Sequence, residues 1–131
     1  DLVIDSDTFF LKHTNFVKNN IYLYNYGKEY HKPYFEHMKK MDEDLIRVDK
    51  KKSGICHHMI FETKYINEII SKIEKKHNKL FYKEFEIYFN YMLKFYPNKI
   101  KIRKLKWKNT NILQINNENN LDYISYHWHM R

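Results

Sequence analysis

Two stretches with apolar residues at helical spacing stand back to back in the second half of the chain. Strand-like runs lie on both sides of them. From Thr63 to about His77 the first stripe is Ile66, Ile69, Ile70 and Ile73. From Leu80 to Tyr96 the second is Phe81, Phe85, Tyr88, Phe89, Met92 and Phe95. Residues three and four apart share a helix face, so each stretch reads as a helix with one buried side. Pro97 cannot continue the second helix and closes it. A further helix is predicted over Lys32–Met41, where Pro33 stands near the start and good helix formers follow.

The remaining apolar runs read as strands. Leu2-Val3-Ile4 reads as a short buried strand, and residues 8–17 continue as an extended segment or short strand. Ile21–Tyr26 alternates in β-branched and aromatic residues. The charged stretch that ends in Gly54 reads as a loop with a short strand at Leu45–Val48, and Ile55–Phe61 is strand-like. Lys99–Trp107 alternates Lys or Arg with Ile, Leu and Trp, the pattern of a strand with one wet face. Asn116–Asn120 is a polar loop, and residues 122–131 end the chain as a strand. The chain has only two Gly and two Pro, so its turns must lean on Asn and Asp. No repeat or linker interrupts it. Its 131 residues suffice for a single domain, 1–131, with one modest core. The expected class is α/β, with a mixed sheet flanked by helices.

Hydrophobic residues make up 43% of the chain and aromatics 18%, which excludes a disordered tail. The net charge of +8 could serve a nucleic-acid or membrane surface. Lys, Asn, Ile, Tyr and Phe are inflated together, however, and the lysines are spread through helices and loops. Composition therefore argues against a nucleic-acid partner. The longest basic run, Lys50-Lys51-Lys52, reads as a solvated loop. Cys56 is the only cysteine, so no intrachain disulfide can form. That suits a reducing compartment and favours the cytoplasm, although targeting is unreadable in a chain that starts inside a strand-like run. No apolar run approaches the roughly 18 residues of a transmembrane segment.

Asp5 and Asp7 follow directly on the first apolar run. In a strand, residues i and i+2 share a face, and two bare carboxylates there repel. A divalent cation bridging to a diphosphate would resolve the repulsion. The alternative is a turn whose Asp side chains cap nearby backbone groups. Two enzyme classes place Asp-x-Asp after a strand. The haloacid-dehalogenase phosphatases want Thr or Val four residues after the first Asp; here that residue is Phe9, and Thr8 comes one place early. Nucleotide-sugar glycosyltransferases of the GT-A fold use the pair to hold Mn²⁺ or Mg²⁺ against the donor diphosphate.

Three other groups carry possible chemistry. His57 and His58 are adjacent, so strand geometry sends them to opposite faces and at least one is a structural histidine. His127 and His129 share a face if the terminal run is a strand, and either could reach a metal as neutral imidazole. Their spacing with Cys56 fits no common zinc signature. Glu84 and Glu86 begin a helix, where acids suit the macrodipole. Regular helical spacing sends the two to different places, so at most one faces a site.

Taken in order, "VIDSDTFF", "YHKPYFEHM", "SGICHHMIF", "KEFEIYFNYML" and "DYISYHWH" resemble a family of poorly characterised proteins grouped with the GT-A glycosyltransferases. From the first stretch to the last, the match spans nearly the whole chain. The resemblance implies a metal-dependent glycosyltransferase, with a nucleotide-sugar donor and a glycan, lipid or protein acceptor. It makes Asp5 and Asp7 the metal pair, with His127 completing the shell around Mn²⁺ or Mg²⁺. It puts Gly54, His57, His58 and His37 on the substrate side and makes Glu84, or else Glu86, the general base if the enzyme inverts. The chain departs from the family at Lys83, where Ser is favoured, and at Phe85, where Tyr is favoured. It also implies a GT-A-like domain whose N-terminal nucleotide-binding strands are absent, so that the chain could bind a metal and part of an acceptor but hardly a nucleotide. The alternatives are a basic module that tracks phosphates along Lys99–Lys108, without catalysis, and a metal-dependent phosphatase.

Overall fold

The computed structural model describes residues 1–28, 32–74, 84–111 and 120–127, apart from the side chains of Tyr34 and Glu84. The expected ends of both helices between 75 and 83, the polar loop from 116, His129 and the last residues of the chain lie outside them. The architecture is mixed α/β. The described elements are β1 (Leu2–Ile4), β2 (Thr8–Phe10), β3 (Val17–Lys18), β4 (Ile21–Asn25), α1 (Lys32–Met41), β5 (His58–Ile60), α2 (Thr63–Glu74), α3 (Glu84–Phe95), β6 (Ile100–Arg103), β7 (Trp107–Thr110) and β8 (Tyr123–Tyr126).

The strands form three small sheets rather than the single mixed sheet that the sequence suggests. β1 pairs antiparallel with β5, β8 lies between antiparallel β2 and parallel β7, and β4 lies between antiparallel β3 and parallel β6. Local turn chemistry explains the β3–β4 hairpin. Asn19 and Asn20 link its strands with φ of 52° and 60°. Two successive left-handed residues match the twist of a tight hairpin, and Asn tolerates that region better than other residues with a Cβ.

α3 is the centre of the core. Residues 86–92 are all buried, so the helix is enclosed nearly all round instead of along one stripe. Ile87, Tyr88, Phe89, Tyr91 and Met92 pack there with Met38 and Met41 of α1, with Tyr65, Ile69 and Ile73 of α2, and with Tyr24, Met59 and Ile100 from the strands. Phe95, placed on the stripe by its spacing, is exposed. On α2 the buried line is Tyr65, Ile69 and Ile73, four residues apart, and Ile70 lies outside it.

Three strand expectations are corrected. Leu2, Val3 and Ile4 are 42%, 42% and 39% exposed, so β1 is neither buried nor central. An apolar run fixes strand character, but the elements around it decide its burial. Leu45–Val48 is not a strand: Glu43–Leu45 forms a 3₁₀ turn, whose entry is set by Asp42 accepting from the Asp44 amide at 2.8 Å. Lys99–Trp107 is two strands, β6 and β7, in different sheets. Asn25 Oδ1 accepts from the Leu105 amide at 2.9 Å, and Asp122 Oδ2 from the Lys106 amide at 2.7 Å. These bonds divert the backbone between the sheets. Asn25 Nδ2 also donates to Tyr123 Oη at 3.1 Å, which ties β4 to β8.

Candidate functional site

Asp5 and Asp7 lie in the connection between β1 and β2, not within a strand. The Thr8 amide bonds the Asp5 carbonyl at 3.0 Å, closing a turn over Asp5–Thr8. The turn lets the two carboxylates face different neighbours. Asp5 Oδ2 lies 3.2 Å from His57 Nδ1. Asp7 Oδ2 lies 3.8 Å from His127 Nδ1, and Asp7 Oδ1 accepts from Ser125 Oγ at 3.2 Å.

Backbone bonds hold all four residues in register. The Asp5 amide bonds the His57 carbonyl at 2.9 Å, just before β5 begins. The Tyr126 amide bonds the Asp7 carbonyl at 2.8 Å, and the His127 amide bonds the Thr110 carbonyl at 2.8 Å, at the end of the β7–β8 ladder. The His57 and His127 rings consequently lie 5.5 Å apart. Trp107 closes one side, 4.8 Å from His57 and stacked on Tyr123 at 5.6 Å. Ser125 and Trp107 were not singled out in the sequence. Ser125 sits two places before His127 on an alternating strand, which was the available signal.

A carboxylate only accepts, so in neutral His57 the contact with Asp5 keeps the proton on Nδ1 and leaves Nε2 as the basic nitrogen. That Nε2 is buried and has no hydrogen-bond partner among the described residues. An orphaned imidazole nitrogen beside two carboxylates and a second imidazole is a donor set of the kind that binds divalent metals. Among the described residues, no three or more His, Cys, Asp or Glu side chains stand arranged to hold an ion as they are. The four side chains are donors in kind, but each carboxylate is turned toward an imidazole and the set does not converge on one point.

His58 points elsewhere. It is 3% exposed, and its ring packs 5.2 Å from Phe10, 5.3 Å from Phe16 and 5.3 Å from Tyr123. Neither ring nitrogen has a hydrogen-bond partner among the described residues. Burial, and then the charges of Arg103 and His57, push its pKa down to about 4, so it is a neutral imidazole of the core. Its expected place on the substrate side is corrected accordingly.

Glu86 and Gly54 meet each other, away from solvent. Glu86 is 1% exposed, and its Oε2 accepts from Ser53 Oγ and from the Gly54 amide, both at 2.7 Å. Its Oε1 accepts from Asn90 Nδ2 at 2.8 Å and faces Arg47 Nε at 3.6 Å. Asn90 Oδ1 takes the Val48 amide at 2.9 Å, and Arg47 donates to the Lys52 carbonyl at 2.8 Å. A carboxylate so enclosed is beyond an acceptor's reach. Glu86 therefore holds the 47–54 loop against α3 in place of the general-base role expected for it. Gly54 fits because it lacks a side chain: a Cβ there would meet Phe89 Cβ at 2.3 Å and the Phe85 carbonyl at 2.8 Å. This anchoring fixes where the chain emerges toward His57. The Glu84 side chain lies outside the described residues, and His37 is exposed on α1.

Lys101, Lys104, Lys106 and Lys108 remain exposed along β6, β7 and the chain between them, as on a solvated face. No helix among the described residues is long and apolar enough to cross a membrane. Compared with family models, curated proteins and solved structures, the chain matches none.

Proposed function

We propose that the chain carries the metal-binding part of a GT-A-type glycosyltransferase, which takes a nucleotide-sugar donor and transfers the sugar to a glycan, lipid or protein acceptor. The observation that carries this reading is the approach of His127, at the end of β8, to Asp7 of the Asp-Ser-Asp turn, with Asp5 beside them on His57. Asp7 and His127 would hold Mn²⁺ or Mg²⁺, with Asp5 assisting. A bound ion would supply positive charge to the departing nucleoside diphosphate. The chain's own residues then have definable tasks. Ser125 orients Asp7 by donating to its Oδ1. The buried bracket around Glu86 positions the segment that leads to His57. Trp107, stacked on Tyr123, offers an aromatic wall beside the site.

The test is calorimetric. Mn²⁺ is titrated into the chain, and pyrophosphate and nucleoside diphosphates are then titrated with and without the metal. The expected result is Mn²⁺ binding, followed by diphosphate binding that requires it. No Mn²⁺-dependent binding of pyrophosphate or of any nucleoside diphosphate would overturn the reading.

A further inference from the structure

We infer that Arg103 is a receptor for a small monocarboxylate with an apolar body, held on one edge of its guanidinium beside His58, with Phe16 as the ring that turns aside to admit it. The site stands independently of the glycosyltransferase reading and uses none of the residues assigned there.

The guanidinium is held in one orientation and left partly unused. Arg103 Nη1 donates to the Asn15 carbonyl. Nε and Nη2 are buried and have no hydrogen-bond partner among the described residues. Those two nitrogens present parallel N–H bonds along one edge of the plane, the spacing that a carboxylate accepts with both oxygens. Asp122 acts on Arg103 through its charge alone. Its oxygens are engaged elsewhere, one by the Lys106 amide at 2.7 Å and the other facing Lys12 Nζ at 3.8 Å. A buried cation with no bonded counter-charge is unfavourable, and a carboxylate on that edge would relieve it.

The surroundings select the ligand. His58 and the guanidinium lie against one ring, that of Phe16, at 5.3 Å and 5.5 Å. Both ring nitrogens of His58 are buried and unpartnered among the described residues, so its one N–H is a further donor. The imidazole is neutral, because burial pushes its pKa down to about 4. The site therefore carries a single positive charge, which a monoanion balances and a phosphate dianion exceeds. Phe10 and Phe16, edge to face at 5.2 Å, supply apolar walls for the body of the ligand. The buried fork is closed to solvent as it stands. The Phe16 carbonyl accepts from the Leu23 amide at 2.9 Å, which pins its backbone, while its half-buried ring is free to change rotamer.

The experiment is a heteronuclear NMR titration of the native chain that follows the arginine Nε–H signals. Benzoate is the probe, with benzamide and inorganic phosphate as controls. The arginines of the chain are Arg47, Arg103 and Arg131, and Arg103→Lys, which keeps the charge without the fork, identifies the signal of Arg103. Benzoate should shift that signal saturably, benzamide should not, and phosphate should bind about tenfold more weakly or worse. By calorimetry, Arg103→Lys should bind benzoate about tenfold more weakly or worse, and Phe16→Ala at least as tightly as the native chain. If benzoate moves no arginine Nε–H signal, the proposal is overturned, and that result needs no variant to fold. An equal response to benzamide would overturn anion recognition. Phosphate binding as tight as that of benzoate would overturn the choice of a monocarboxylate. Full affinity in Arg103→Lys would overturn the role of the fork, and weaker binding in Phe16→Ala would overturn that of Phe16 as the gate.

Discussion

The imidazoles of His57 and His127 lie 5.5 Å apart, ring to ring, and each faces a different carboxylate of one short turn. Three separate strand pairings produce that relationship. The β1–β5 pair carries Asp5 to His57, the β2–β8 pair carries Asp7 to Ser125, and the β7–β8 pair sets His127 against Thr110. Substitutions can therefore separate what the cluster binds from what holds it in place.

Asp7→Asn is the cleanest change on the binding side. Asp7 is a turn residue whose side chain is 36% exposed, and its described side-chain partners are Ser125 and His127. Asn keeps the shape and can still accept from Ser125. Folding stability measured by urea denaturation should change by less than about 1 kcal/mol, the scale of one ordinary hydrogen bond. Mn²⁺ affinity should fall more than tenfold. Unchanged Mn²⁺ binding would remove Asp7 from the site.

Glu86→Gln should do the reverse. An amide that keeps its oxygen on the Ser53 hydroxyl and the Gly54 amide turns its NH2 against the Asn90 Nδ2 donor, and it leaves the Arg47 guanidinium without its counter-charge. Breaking a buried ion pair from one side costs about 3–5 kcal/mol. The variant should show that loss in urea denaturation. Mn²⁺ affinity, measured where the variant is still folded, should remain. A variant as stable as the native chain would show that the bonds of Glu86 to Ser53, Gly54 and Arg47 do not hold the loop.

The helices were the most legible part of the sequence, because a stripe at helical spacing is a local signal. α1 spans Lys32–Met41 as expected, and Pro97 ends α3. Asn19 and Asn20 of the β3–β4 hairpin fall under the general expectation that turns lean on Asn and Asp, which does not by itself place the hairpin. The division of the strands among three sheets was not legible. It depends on Asn25 and Asp122, which act on residues far away in sequence. At the site, the residue types of Asp5, Asp7, His57 and His127 were visible as motifs, but their pairing was not. Strand parity treats Asp5 and Asp7 as one face, whereas the turn at Asp5–Thr8 splits them between two histidines. Glu86 looked like chemistry because a carboxylate near a helix start carries no mark of its burial. Its true partners, Arg47, Ser53 and Asn90, drew no notice.

Gly54→Ala tests the close approach of that loop to α3. The added methyl group would lie within 3 Å of Phe89 Cβ, Phe89 Cγ and the Phe85 carbonyl, none of them the far end of a flexible chain. Overpacking of this kind costs about 1–3 kcal/mol. The expected loss in urea denaturation is at the upper end of that range. Combining it with Phe89→Ala, which removes Cγ and the ring, should cost less than the sum of the two single changes, because the space left by the ring gives the new methyl group room. Strict additivity would show that Phe89 is not what Gly54 avoids.

His58 sets a pH dependence whose sign follows from its burial. Its pKa is pushed from the ordinary 6.5 down to about 4 by loss of solvation, then by Arg103 and His57, with Asp5 acting weakly in the opposite direction. The aromatic rings around it offer no compensating charge. Between these two values the unfolded chain binds a proton that the folded chain does not. Stability from this group is therefore full above about pH 6.5 and is lost as pH falls toward 4, with a slope approaching about 1.4 kcal/mol per pH unit. His58→Phe removes both the titration and two unsatisfied nitrogens. In metal-free buffer the variant should be as stable as the native chain at pH 7 or more so, and its advantage should widen between pH 6.5 and 4. Parallel stability profiles for the two proteins across that interval would show that the His58 ring is not held neutral by the core.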